Sequence, residues 1–147
     1  NNVARISVTN IPDKPGFAFK LFSKLSSKGI NVDIILQSIG RNNLKDITFT
    51  ITRDQVEETE EILSKYIEPI ENAQILIDED VAKVSIVGTG METHVGIASM
   101  MFEALFDAQI NIQMISTSEI KVSVLIASED VDTALNSIHN KFFSHLD

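Results

Sequence analysis

Apolar and polar positions along this chain alternate with two periods, and the periods change in a fixed order. Ala4, Ile6 and Val8 alternate with polar neighbours, the pattern of a strand with one buried face. Pro12, Pro15 and Gly16 interrupt that pattern. Ala18, Phe22 and Leu25, flanked by Phe19 and Leu21, then recur at helical spacing as far as Lys28. Proline near the first turn is tolerated because its missing N–H would lack an intrahelical partner anyway. Gly29 supplies the stop, since glycine takes positive φ without a side-chain clash. Val32 to Ile39 reads as a second strand. Ile47, Phe49 and Ile51, alternating with Thr48, Thr50 and Thr52, predict a third strand with one wet face. Asp54 followed by Glu57 predicts a capping box that opens a second helix, with Val56, Ile62, Leu63 and Tyr66 on its inner face. Glu57, Glu58, Glu60 and Glu61 mark its solvated side, Pro69 ends it, and Ile75 and Ile77 predict a fourth strand. The order is β-α-β-β-α-β.

The pattern then repeats. A shift of 80 positions pairs Ile6 with Ile86, Thr9 with Thr89, Gly16 with Gly96, Ala18 with Ala98, Phe22 with Phe102, Leu25 with Leu105, Ile30 with Ile110, Asn31 with Asn111, Ile35 with Ile115 and Ser38 with Ser118. Further along the shift falls to 75, pairing Ile47 with Val122, Val56 with Val131 and Leu63 with Ile138. The first copy therefore carries a connector about five residues longer, around Arg41 to Lys45. In the second copy a strand is expected at 84–86, a helix from Gly96 to Ala108, strands at 112–116 and 122–126, and a last helix through Val131, Leu135, Ile138 and Phe142. Its fourth strand has no counterpart, and is expected to be absent or supplied from elsewhere. Two units are too few for a solenoid. The fold class expected is α+β: two small domains, 1–80 and 81–147, each an antiparallel sheet with two helices on one face.

Composition narrows this picture. Each copy has only about 70 of the 147 residues, where a single core stabilises weakly, so the copies are expected to pack on a neighbour or to dimerise. Apolar residues at 44% and charged residues at 22% give an ordinary globular balance. A net charge of −9 argues against nucleic acid as a partner, which calls for clustered Lys and Arg, and slightly favours cationic small ligands. With no cysteine there is neither a disulfide framework nor a thiolate metal site, which fits the cytoplasm. No apolar stretch approaches the ~18 residues of a membrane span, so no membrane partner is expected. The chain opens at Asn1 almost directly into a strand pattern and reads as a piece of a longer protein.

Catalytic motifs are missing where they would be expected. Gly88-Thr89-Gly90 starts like a dinucleotide loop, but Thr93 stands where its third glycine belongs, and no phosphate-binding P-loop occurs. His94, His139 and His145 form no metal-ligand motif, and Ser116 and Ser118 lack a nucleophile context. No catalytic residue and no metal site is therefore expected. Two other runs carry chemistry. Ile11-Pro12-Asp13-Lys14-Pro15-Gly16-Phe17-Ala18 reads as a loop opening a helix. A helix start leaves backbone N–H groups unpaired and carries partial positive charge, so a carboxylate docks there readily. Gly16 has no Cβ to hinder approach. Asp13 suits a ligand ammonium or a simple cap, and an ordinary strand-to-helix turn would use the same residues. The same junction recurs as Thr93-His94-Val95-Gly96-Ile97-Ala98. Ile115-Ser116-Thr117-Ser118-Glu119-Ile120 reads as the polar middle of a sheet, with Thr117 as the counterpart of Gln37. Asn31 and Asn111 follow the helix exits, where Asn also caps local backbone. Met91, Met100, Met101 and Met114 read as core or interface filler.

These residues resemble a known family. Val8-Thr9-Asn10-Ile11-Pro12-Asp13-Lys14-Pro15-Gly16, Ile30-Asn31-Val32-Asp33 and Asp46-Ile47-Thr48-Phe49-Thr50 are similar to the first ACT domain of aspartokinases. Val87-Gly88-Thr89-Gly90-Met91, Ile110-Asn111-Ile112 and Ile115 to Ile120, followed by Leu135, His139 and Phe142, resemble the second. The resemblance implies two ferredoxin-like βαββαβ domains forming a regulatory module. It implies binding of lysine, threonine or both between ACT domains, with feedback inhibition of aspartate phosphorylation. Two chains are expected to pair sheet edge to sheet edge as a homodimer, alongside a kinase domain or catalytic subunit outside this sequence. No cofactor is expected here; ATP and Mg would belong to the kinase domain. Carried over by position, the effector residues are Asp13, Pro15, Gly16, Phe17, Ala18, Asn31 and Gln37, then Thr93, His94, Gly96, Ile97, Ala98, Asn111, Ile112, Thr117, Ser118 and Glu119. A lysine ε-ammonium would need a further acceptor such as Glu92 or Glu119. A stand-alone ACT sensor and a purely dimerising module are the competing expectations.

Overall fold

The computed structural model describes residues 2–40, 42–87 and 94–143. The chain divides into a first unit, Asn2–Glu79, and a second that begins at Asp80. The first contains β1 (Val3–Pro12), α1 (Phe17–Ser27), β2 (Ile35–Ile39), β3 (Leu44–Thr52), α2 (Val56–Ile67) and β4 (Gln74–Asp78). The second contains β5 (Val81–Val87), α3 (His94–Asp107), β6 (Met114–Thr117), β7 (Lys121–Ala127) and α4 (Val131–Phe143).

In the first unit the strands lie in the order β2-β3-β1-β4, each pair antiparallel. Ala4, Ile6 and Val8 on β1 and Ile47, Phe49 and Ile51 on β3 point to one face and are buried there against Leu21, Leu25, Leu63 and Tyr66 of the two helices. Phe22 meets Phe49 edge to face, with ring centroids 5.6 Å apart. In the second unit the described strands lie in the order β5-β7-β6. Val84, Val122, Val124 and Ile126 face Met101, Leu105, Ala134 and Ile138. Each unit is thus an α+β layer pair, as the two periods imply, with three strands in the second sheet among the described residues.

Both α1 and α3 end the same way. Ile30 N–H donates to Leu25 O at 3.0 Å and Gly29 N–H to Ser26 O at 3.0 Å, which is a Schellman closure with Gly29 at φ +75°. Ile110 and Gln109 repeat it on Leu105 and Phe106, with Gln109 at φ +59°. Glycine stands at this position in one unit, and a strained L-residue in the other.

Several expected boundaries move. Pro12 is itself the last residue of β1, paired with Leu44, so the strand runs up to the proline and stops there. Asp54 caps nothing: a single 3-10 turn, Arg53–Gln55, precedes α2, whose start has no side-chain cap. The strand expected from Val32 begins only at Ile35, although Asp33 N–H already donates to Thr50 O at 3.0 Å. The first-strand alignment is two residues out. Val3 faces Thr52 and Val81 faces Ala127, so Ile86, opposite Val122, corresponds to Val8, opposite Ile47. The slip of two keeps every side chain on its face, because the pleat repeats every two residues, and periodicity alone therefore misses it.

Two substitutions test these details. Thr59 on α2 is fully buried, and its Oγ1 has no hydrogen-bond partner among the described residues. Thr59→Val removes that hydroxyl at nearly constant volume and should raise stability by about 1 kcal/mol in urea denaturation. Gln109→Gly relieves the left-handed backbone and should add about 0.5–1 kcal/mol by the same measurement.

Candidate functional site

The junction between β1 and α1 is shaped by a bulge. The β1–β3 register shifts between Val8 and Ile11, and Asn10 takes φ +61°. Asn10 N–H donates to Asp46 Oδ1 at 3.0 Å, and its side-chain amide donates to Asn72 O at 3.1 Å. The bend returns Ile11 to the core, fully buried opposite Lys45. Asp13 then lands on the β2–β3 hairpin, where its N–H donates to Asn43 O at 2.6 Å and its Oδ1 lies 3.6 Å from Lys45 Nζ. Asn42 and Asn43 both have φ near +60° in that hairpin, so two left-handed residues help turn it.

Gly16 is the N-cap of α1, with φ +98° and ψ −24°, a conformation that L side chains rarely adopt. A Cβ built there meets nothing within 4 Å, so the backbone angle rather than crowding selects glycine. No side chain caps the helix and its first turn holds no acidic residue, which leaves the positive end of the helix dipole uncompensated by its own sequence. Tyr66 on α2 donates its hydroxyl to Phe17 O at 2.8 Å. Burial raises the Tyr66 pKa above its usual 10.0.

Beside the junction runs an open groove of about 460 Å³ between Ala18, Phe19 and Phe22 of α1 and Ile35 and Gln37 of β2. It brings together two of the predicted residues, Ala18 and Gln37. Phe17 is half-buried at the helix start, while Asp13, Pro15 and Gly16 are exposed around it. Asn31 is exposed at the helix exit, its N–H donating to Gln55 Oε1 at 2.9 Å, while Gln55 Nε2 donates to Gly29 O at 2.9 Å. β2 is an edge strand, and all of Ile35–Ile39 is exposed.

The second unit is built differently. α3 begins at His94, so Gly96 lies inside its first turn rather than at the cap. Ile97 and Ala98 pack partly against the core of that unit, as does Ile112, and Asn111 is exposed after the helix exit. Gly88, Thr89, Gly90, Met91, Glu92 and Thr93 lie outside the described residues, as do Arg41 and His145. Thr117 faces Val122, as Gln37 faces Ile47, so the two do share one position. The run from Ile115 to Ile120 is not the middle of a sheet. Its first three residues finish the edge strand β6, and Ser118 N–H donates to Lys121 O at 2.8 Å in a tight turn that exposes Glu119 and Ile120. The polar residues there serve a turn, which is why an apolar strand pattern breaks at that point.

Three residues at the first junction escaped the sequence reading: Asn43, Lys45 and Tyr66. Lys45 did carry a signal. It falls on the inward face of β3, in step with Ile47 and Phe49, and an inward ammonium calls for a carboxylate. A lone tyrosine on an apolar helix face likewise calls for a hydroxyl partner.

Comparisons with known proteins give this geometry its family. Residues 4–68 match the ACT domain family model, and residues 84–142 match a second ACT domain model. The aspartate kinase of Pseudomonas putida is 43% identical over 139 residues, covering 95% of this chain and 34% of that protein. The chain thus spans about a third of the length of the curated relatives it matches. A solved structure described as aspartokinase alpha and beta subunits is 45% identical with a TM-score of 0.86, covering 96% of this chain and 93% of that one. The regulatory subunit of aspartate kinase from Thermus thermophilus, in ligand-free form, is 36% identical with a TM-score of 0.89, again covering 96% and 93%. Two ACT domains in tandem, aligned end to end with an aspartokinase regulatory subunit, make this chain a member of the aspartokinase regulatory family.

Proposed function

We propose that this pair of ACT domains is the allosteric part of an aspartokinase, and that it binds free lysine, threonine or both to inhibit aspartate phosphorylation by a kinase domain or catalytic subunit. The observation that carries this reading is the start of α1 at Gly16, beside the exposed edge strand β2. No side chain caps it, and among the described residues only the Phe17 N–H of the first turn is engaged, by Lys14 O at 3.4 Å. An α-amino acid has a carboxylate for the amides of the first helical turn and an ammonium for nearby carbonyls and the Asp13 carboxylate. Ala18 and Gln37 line the groove in which its side chain would lie, and Asn31 stands at the far end of the same helix. Gln37 suits a hydroxyl, whereas an ε-ammonium needs an acidic acceptor beyond the lining of this groove.

This site, and a differently built one in the second unit, would be completed when a second chain adds its sheet edge. Ile35, Leu36 and Ile39 of β2 and Ile115 of β6 are exposed apolar side chains on edge strands, the surface that strand-to-strand pairing in a homodimer would cover. The second site would draw on Thr93, His94, Gly96, Ile97, Ala98, Asn111, Ile112, Thr117, Ser118 and Glu119. Among the described residues no helix is long and apolar enough to cross a membrane, and the proposed site of action is the cytoplasm. A ligand inhibits only by binding the inactive arrangement better, and about 1–3 kcal/mol of such coupling is typical.

Calorimetric titration with L-lysine and L-threonine, separately and together, tests this reading, with sedimentation run in parallel. Saturable binding of at least one, on a dimer, is expected. Gly16→Val should weaken that binding at least tenfold by straining the cap and crowding the amides. No binding of either amino acid, or full affinity in Gly16→Val, would overturn it.

A further inference from the structure

Residues 13 to 17 of the first junction are held from two sides. From the sheet, Asn43 accepts the Asp13 N–H and Lys45 sits against the Asp13 carboxylate. From the helix layer, Tyr66 donates to the carbonyl of Phe17, the first residue of α1. These ties come from chain segments far apart in sequence, and they meet on the five residues that open the helix. The repeat shows that neither tie is a requirement of the fold. Asn43 and Lys45 belong to the hairpin that is longer in the first copy. At the position of Tyr66 the second unit has Lys141, which pairs instead with Glu103 and with Asp107, 4.0 Å away, in the later turns of α3. One helix position thus reaches the start of its partner helix in one unit and the end of it in the other.

We propose that Tyr66 is a positioning residue of the first junction, holding Phe17 so that the amides of the first turn of α1 stay aimed at a ligand carboxylate. The proposal rests on the amino-acid site put forward above. Its physical basis is preorganisation: a site held to within a fraction of an ångström by its supporting shell loses little further freedom on binding. The Phe17 carbonyl has two lone pairs, so it can accept the tyrosine hydroxyl while still serving the helix. Asn43 and Lys45 supply the opposing grip, fixing the loop just ahead of the cap. Removing the hydroxyl leaves the ring packed in the core but frees the first turn to shift.

Tyr66 also supplies its own reporter, because it is the single tyrosine of a chain without tryptophan. The experiment compares wild type with Tyr66→Phe, following the amide resonances of Gly16 to Phe19 during titration with L-threonine and with L-lysine. The half-saturating concentration should rise three- to tenfold in Tyr66→Phe, the range expected for one hydrogen bond. Ile51→Val, at the opposite end of the β1–β3 pair, lowers stability without touching the junction and should leave half-saturation unchanged. Tyrosine fluorescence of the wild type should change along the same binding curve. Equal half-saturation in wild type and Tyr66→Phe, an equal rise in Ile51→Val, or fluorescence that stays flat through saturation would each overturn the assignment of Tyr66. Wild type that binds neither amino acid would instead remove the site itself.

Discussion

The pairing of β1 with β3, broken once at Asn10, is the constraint on which the first unit depends. From Val3 to Val8 the two strands run in simple register and bury one apolar face. Had the register continued, the next apolar residue would have fallen in step with the wrong face, since a shift of one residue inverts every side chain. The bulge at Asn10 absorbs the extra residue, and Ile11 returns to the core. The same bend delivers Asp13 to the hairpin and Gly16 to the start of α1. The geometry of this junction thus follows from a register correction that the core itself demands. Asp46 and Asn72 stabilise the bulge by accepting hydrogen bonds from the backbone N–H and the side-chain amide of Asn10.

The two units share a plan but not its details. Helix exits are closed alike, with Gly29 and Gln109 in one conformation, and Gln37 and Thr117 occupy one place on their edge strands. Helix entries differ. α1 starts on a left-handed glycine, whereas α3 has already begun at His94 when the chain reaches Gly96. The hairpins differ as well, with a long left-handed turn in the first unit and a tight turn at Ser118 to Lys121 in the second. Duplicated folding constraints explain what is shared, because both cores need the same closures. The differences collect at the junction and the hairpin beside it, which are surface features that the core leaves free to vary.

What could be read in the sequence was what the core repeats. Ile47, Phe49 and Ile51 announced a half-buried strand, and Gly29 announced a helix stop. The ACT resemblance rested on runs that the comparisons match to the same family. The residues that shape the candidate site were harder to see. Contacts between Asp13 and Lys45, or Phe17 and Tyr66, join positions with no periodic relation, so no local pattern carries them. Lys45 and Tyr66 were visible only as exceptions, polar groups in step with apolar ones. The two-residue slip in the first strand was hidden for the opposite reason, because the pleat makes both alignments look alike. Gly96 matches Gly16 in identity but not in place, because a glycine permits a left-handed cap without requiring one, and α3 has begun two residues before it.

On the proposed reading, these details decide how a small ligand could control a larger partner. A metabolite changes a protein only by as much as its affinity differs between two arrangements, so a rigid site in one arrangement must become a poorer site in the other. A junction held by one hydroxyl, one backbone hydrogen bond and one loose ion pair suits that demand. The ties are strong enough to preorganise the amides of α1, yet each is worth only about 1 kcal/mol, so a modest shift of α2 or of the β2–β3 hairpin would release them. Release at about that energy corresponds to a several-fold change in affinity, within the range of ordinary allosteric coupling. Because linkage is reciprocal, the ligand that benefits from the ties must in turn hold α2 and the hairpin in place. α2 and the hairpin would then feel its presence through Tyr66, Asn43 and Lys45, without lining the groove themselves.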